Sequence, residues 1–148
     1  MLKILLDTSF ILPILGIDVG ITVRKTLEKL GNLNAELYYS RFNILEALWV
    51  AVRLAKRGSL DVDRFSRGLR SIYASRRLKT VNEDILVFER SLELYMMGHN
   101  DLIDNVLYSI ALCKGLKLLT LDEELVKFIE LKRLNRNIIL SPEDIGIK

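Results

Sequence analysis

Four acidic residues stand where a carboxylate is costly or out of pattern. Asp7 ends the apolar run LKILL, and Asp122 sits two residues past a second run, LKLLT. Glu46 is the only charged residue between Phe42 and Val52 (FNILEALWVAV), and Asp104 falls inside the apolar stretch DLIDNVLYSIALCKG. A lone buried carboxylate costs several kcal/mol unless something compensates it. For Glu46, whose neighbours one turn away are apolar, the compensation is either a distant Arg or Lys or a bound cation. Asp7 and Asp122 read equally as N-caps of the helices that follow them. Asp104 would gain up to about 1 kcal/mol from the dipole of its own helix. Asp101 explains itself as the N-cap of that helix, but it lies three residues from Asp104 on one face, where like charges repel unless a cation sits between them.

Four carboxylates meeting in one crevice make an oxygen-only site, and hard oxygen donors select Mg2+ or Mn2+. With one histidine (His99) and one cysteine (Cys113), neither a zinc site of the usual ligands nor a serine or thiol mechanism is expected. Carboxylate-bound divalent metal suits hydrolysis of a phosphodiester, with one or two ions lowering the pKa of water and balancing charge on phosphorus. Charge elsewhere agrees with a nucleic-acid partner. Nine basic residues against two acidic ones lie between Arg53 and Lys79, among them Arg53, Lys56, Arg57, Arg64, Arg67 and Arg70. That patch would hold a phosphate backbone, or it is simply a solvated helix face.

The elements that must position these groups alternate. Short apolar runs at Leu2–Leu6, Glu36–Ser40, Leu78–Val81, Leu116–Thr120 and Asn137–Leu140 read as strands. Helices are expected over Gly20–Leu30, Arg41–Lys56, Asp61–Ser75, from a cap at Asn82 to Met97, over Asp101–Lys114, and from Asp122 to about Glu130, with a short one after Thr8 and Ser9. This pattern predicts an α/β fold, three layers with a central parallel sheet. In such sheets the functional crevice lies beyond the carboxyl ends of the strands, which is where Asp7 and Asp122 fall.

At 148 residues with no linker or low-complexity stretch, one domain over 1–148 is expected. The lone cysteine excludes an internal disulfide. No apolar run approaches the roughly 20 residues that cross a bilayer, and the N-terminus does not read as a signal peptide. A cytoplasmic protein without a membrane partner is expected.

The run LKILLDTSFIL, the lone Glu46, and DNVLYSIALCKGLKLLTLD, in that order, resemble the PIN domain, and more closely the VapC-type toxin nucleases of toxin–antitoxin modules. The likeness spans essentially the whole chain. It implies that the family's four acids fall on Asp7, Glu46, Asp104 and Asp122, with Asp101 a further candidate ligand. Its small hydroxyl beside the site would be Thr8 or Ser9, with Thr120 a second. It further implies a Mg2+- or Mn2+-dependent endonuclease acting on RNA, frequently a homodimer and often blocked by an antitoxin protein. The stretch Ser59–Lys79 carries no family motif, so a role there in binding RNA rests on charge.

A catalytically weak RNA-binding or RNA-processing scaffold is the competing class, and it would be expected to have lost at least one acid. A receiver-like domain phosphorylated on Asp7 would need a second acid where Thr8 and Ser9 stand. His99, in a Gly-His-Asn turn, is read as a loop residue, Cys113 as a buried thiol, and Trp49 with Tyr38 and Tyr39 as core or interface residues.

Overall fold

The computed structural model describes residues 1–146, so the last two positions of the expected 1–148 domain lie outside the described residues. Five strands form one all-parallel sheet in the order β3-β2-β1-β4-β5: β1 (Leu2–Leu6), β2 (Ala35–Tyr39), β3 (Leu78–Thr80), β4 (Lys117–Leu119) and β5 (Ile139–Leu140). The central strand β1 shows why its run is apolar without alternation. Ile4 and Leu6 enter one hydrophobic cluster and Leu5 the other, because successive side chains of a strand point to opposite faces.

Helices cover both faces and complete three layers. On the Ile4/Leu6 face lie α1 (Thr8–Ile11) with a 3-10 turn (Leu12–Leu15), α2 (Ile21–Gly31), α3 (Arg41–Lys56) and α4 (Val62–Ala74). On the Leu5 face lie α5 (Ile85–Met96), α6 (Leu102–Lys114) and α7 (Glu123–Leu131). The connections out of β1 and β3 leave to opposite sides of β1, so the chain reverses direction between β1 and β4, the place where open parallel sheets form their crevice.

Each helix around that crevice has a local reason to start where it does. Ser40 and Asn43 form a capping box at the start of α3. Asp101 caps α6, accepting from the Asp104 amide at 3.1 Å. Residues Ile103 to Ala111 of α6 are all buried, and Gly115 at φ 69° ends the helix.

Some expected boundaries move. The helix predicted to start from Asn82 is capped instead by Asp84, whose carboxylate accepts from the Val87 amide at 3.3 Å. The last strand is only Ile139–Leu140, because Arg136–Ile138 closes a 3-10 turn first. Cys113, expected buried, is partly exposed.

One close approach ties α4 to the segment that follows the first acid. A Cβ at Gly68 would come within 2.7 Å of the Leu15 Cα, so only a glycine lets α4 rest on the 3-10 turn. Backbone on both sides gives little way, and Gly68→Ala is expected to cost about 1–3 kcal/mol as overpacking. Urea unfolding measures it: a lower midpoint is expected, and an unchanged or raised midpoint would show that α4 does not bear on the turn.

Candidate active site

The carboxyl ends of β1 and β4 are laced together. The Asp7 amide donates to the Leu119 carbonyl at 3.0 Å, continuing the strand pairing one residue past β1. Its carboxylate accepts from the Thr8 amide at 2.6 Å and from the Thr120 hydroxyl at 3.1 Å. The Thr120 oxygen in turn accepts from the Asp122 amide at 3.0 Å, and Asp122 accepts from the Glu124 and Leu125 amides at 2.9 and 3.2 Å. Asp7 and Asp122 are therefore helix caps and also share one bridging threonine. Thr120 is the supporting hydroxyl that links them.

On the other side of the site a relay of hydrogen bonds fixes Thr8. Its hydroxyl accepts from the Asn43 amide group at 3.0 Å, Asn43 accepts from the Ser40 amide at 2.7 Å, and the Ser40 hydroxyl donates to Glu83 at 2.7 Å. Asn43 and Ser40 are fully buried. Of the two expected hydroxyls, Thr8 is the one this relay holds. Ser9 makes no side-chain hydrogen bond among the described residues.

Asp104, on the first turn of α6, is 5% exposed, and its Oδ2 has no hydrogen-bond partner. Its ligand atoms lie within 4.8 Å of those of Asp122 and His99. Asp7 and Glu46 lie outside that tightest group; the Asp7 charge acts on Asp104, and Glu46 feels the charge of Asp122 and acts on Asp7. Burial, the interaction with Asp122, and the charges of Asp7 and Asp101 push the Asp104 carboxyl up to about 10. Burial, with the Glu46 charge next, pushes Asp7 up to about 6. Asp122 is held below the usual carboxylate range, chiefly by Asp104. No Lys or Arg forms an ion pair with Asp7, Glu46, Asp104 or Asp122 among the described residues.

Glu46 requires a correction. It lies on α3 as expected, but the helix is not enclosed: Leu48, Trp49 and Val52 are 42%, 52% and 50% exposed, and Glu46 itself is half-buried. Its carboxyl is raised by burial and lowered by the Thr8 hydroxyl and by Arg53, so it faces the site without being sealed in it. Asp101 is exposed and committed to its capping bond, and its charge raises both Glu46 and Asp104.

His99 lies in the Gly-His-Asn turn between α5 and α6, as expected for a loop residue, yet the turn is packed: His99 is 8% exposed, its ring lies 5.1 Å from that of Phe128, and its Nδ1 bonds Asn105 Oδ1 at 2.7 Å. An imidazole thus stands beside Asp104 and Asp122, one ligand atom from each of the three lying within 4.8 Å of the others. Neither Asn43 nor Asn105 carries a sequence signal, because both act through partners distant in the chain or across a turn. The GHN-to-DN spacing, which puts Asn105 six residues past His99, was the one local clue.

The basic patch divides. Arg53, Lys56, Arg57, Arg67 and Arg70 are exposed and unpaired among the described residues. Arg64 instead donates to the Ile14 carbonyl at 3.1 Å, and Arg77 clamps the Leu30 and Gly31 carbonyls at 2.7 and 3.0 Å. These two hold backbone, so Arg64 spends part of its guanidinium on the Ile14 carbonyl.

An orphaned buried oxygen, a neighbouring acid of lowered pKa and no basic partner are what a divalent cation would resolve, and the acidic cluster can bind a metal. The metal-free protein should therefore carry a strain that titrates. Between the unfolded value near 3.8 and the raised folded values, the native state holds more protons than the unfolded chain. Native stability then falls as pH rises through that window, from about 4 to 6 for Asp7 and on upward for Asp104. In EDTA, Tm is expected to fall from pH 5 to pH 8. Asp104→Asn, which mimics the protonated acid, should flatten that slope and raise Tm at pH 8 by at least about 3 °C, since 1 kcal/mol moves Tm by ~2–4 °C at this length. A lower Tm in the variant at pH 8 would contradict the assignment.

Comparison with known proteins agrees with this geometry. Residues 4–131 match the model of the PIN domain. No curated protein matches the sequence significantly. Among solved structures, a protein from Pyrobaculum aerophilum is similar at TM-score 0.63 and 19% identity, over 96% of this chain and 85% of that one. VapBC2 from Rickettsia felis, bound to a DNA fragment from its promoter, gives 0.62 and 16% over 95% and 98% of the two chains. Mycobacterium tuberculosis VapC20, a sarcin–ricin loop cleaving toxin, gives 0.61 and 17% over 90% and 97%. At these identities the structural likeness speaks for the fold. With the family match spanning most of its length, the chain belongs to the PIN domain family.

Proposed function

We propose that the protein is a Mg2+- or Mn2+-dependent endoribonuclease and the toxin of a toxin–antitoxin pair. The observation that carries the reading is the partnerless Asp104 oxygen buried beside Asp122, with the Asp7 charge acting on Asp104, the Glu46 charge acting on Asp7, and no Lys or Arg ion pair to any of them among the described residues. Asp7, Glu46, Asp104 and Asp122 would hold the cation, and Asp101 would add negative charge from the helix cap. A bound divalent ion would supply water of lowered pKa and offset the charge that builds on phosphorus. The chain's own groups do the rest. Thr120 keeps the Asp7 and Asp122 carboxylates in register, and the Asn43 relay aims the Thr8 hydroxyl at the Glu46 side of the site.

Substrate would be held along α3. Arg53 acts on Glu46 directly, and Arg57, eleven residues past Glu46, lies about 16 Å further along the helix axis. That reach covers several nucleotides of a single strand, with Arg67 and Arg70 of α4 extending the patch. An antitoxin or a second copy of the chain has a surface to use: an apolar groove of about 660 Å³ between Phe42, Leu45, Trp49, Phe88, Leu92 and Leu102, bordered by Glu46 and Asp101. The toxin–antitoxin complexes among the solved neighbours support the antitoxin partner, and the sarcin–ricin loop cleaving toxin among them supports RNA as the substrate.

RNA cleavage in Mg2+ or Mn2+ tests the reading, with EDTA and Asp7→Asn or Asp104→Asn as controls. Each control is expected to lower the rate about 1000-fold, the worth of several kcal/mol of charge stabilisation at 1.4 kcal/mol per decade. Cleavage that survives both controls contradicts the mechanism, and binding without cleavage in any metal would favour a scaffold. Neutralising Arg53, Lys56 and Arg57 together to Gln should cut the slope of log K against log salt by about 2, at ~0.7 per phosphate contact on a single strand. An unchanged slope would move the RNA path off α3.

A further inference from the structure

Beyond the four acids, one further group on this chain stands at the site with its geometry already set. The Asn105 side chain accepts at Oδ1 from His99 Nδ1 (2.7 Å) and donates through Nδ2 to the His99 carbonyl (2.8 Å), so the same amide grips ring and backbone. Because the amide nitrogen is spent on the carbonyl, Oδ1 can only accept, which places the ring proton on Nδ1. Phe128 packs on the ring, and Asn105 is fully buried, so neither the tautomer nor the ring plane can relax into water. Nε2 is then the nitrogen with a free lone pair. A histidine whose second nitrogen is fixed by a buried amide or carbonyl is the arrangement in which proteins present imidazole to a metal.

We infer that His99 is a nitrogen ligand of the cation site, completing it from the turn between α5 and α6 together with Asp104 and Asp122. One ring nitrogen of His99 and one carboxylate oxygen from each of Asp104 and Asp122 lie within 4.8 Å of one another, and Asp104 Oδ2, on a residue 5% exposed and without a partner, leaves a place for a ligand among them. The inference rests on the cation site of the proposed nuclease but adds a consequence that the acids alone do not have. Mg2+ binds oxygen and dehydrates reluctantly, whereas Mn2+ and Co2+ accept imidazole readily. This chain should therefore favour Mn2+ and Co2+ over Mg2+ through His99, with Asn105 as the residue that positions it.

Two measurements test this on the full chain. Electron spin-echo spectroscopy of the Mn2+-loaded protein should show coupling to a ring 14N, which needs no variant. Calorimetry with MnCl2 and MgCl2 should show that His99→Gln and His99→Ala weaken Mn2+ about 10-fold or more while changing Mg2+ less than about 2-fold, the scale of effect expected for a ligand or its support. Asn105→Ala should weaken Mn2+ by a similar factor and reduce the 14N coupling. Circular dichroism establishes that each variant is folded. Absence of 14N coupling, or a Mn2+ to Mg2+ affinity ratio unmoved by both His99 variants, overturns the assignment and leaves the acids as sole ligands. In that case loss of Mn2+ binding in Asp104→Asn shows that the cation site of the acids, on which the nuclease reading rests, still stands without His99. Failure of the wild-type protein to bind any divalent ion overturns both.

Discussion

Asp104 buries a carboxyl oxygen with no partner next to Asp122 and within the field of Asp7, and the structure around it is organised to hold those three charges apart by fixed distances rather than to neutralise them. No arginine or lysine is brought in, although the chain has 22 of them. Acids kept together without a counter-charge force one of them to hold a proton, here Asp104, and that costs stability as pH rises. A fold retains such a cluster when something outside the chain completes it, and a hard cation is the simplest such group. The parallel sheet supplies the means. Reversal of direction between β1 and β4 opens a crevice, and the amide of Asp7 bonded to Leu119 sets the two strand ends at a constant spacing.

The second layer of contacts explains why the acids stay in place. Thr120 stands between Asp7 and Asp122, and the relay from Glu83 through Ser40 and Asn43 ends on Thr8. Buried amides and hydroxyls of this kind are costly unless each is satisfied, so once satisfied they allow one geometry. The same helix that brings Asn43 and Glu46 to the site turns small residues, Ala47 and Ala51, to the core and leaves Leu48, Trp49 and Val52 outside. Structural and apolar duties are thus split between the two faces of α3. The outward face and the groove beside α5 remain exposed and apolar.

Much of this was legible in the sequence, for identifiable reasons. An apolar run closed by an acid reports a buried parallel strand and its functional end together, and Asp7 and Asp122 were both found that way. Asp104 was legible because α6 is buried along almost its whole length, so a charge there has no solvated side to explain it. Glu46 was singled out on a faulty premise: apolar neighbours on a helix do not prove enclosure, and here Leu45, Leu48, Trp49 and Val52 face outward. His99 and Asn105 were illegible because a Gly-His-Asn turn has the composition of an exposed loop, and only packing against Phe128 of a later helix buries it. Charge counting likewise missed that Arg64 and Arg77 spend their guanidinium groups on backbone carbonyls, a role visible only when α4 and the end of α2 are in place.

The most direct test of the central claim, that the acids at the β1–β4 crevice hold a divalent cation, is an anomalous difference map from crystals of the protein grown with Mn2+. A single strong peak bounded by Asp7, Asp104 and Asp122 and facing Glu46 is the result predicted. No peak there, or density only against exposed acids such as Asp18 and Glu143, would contradict it.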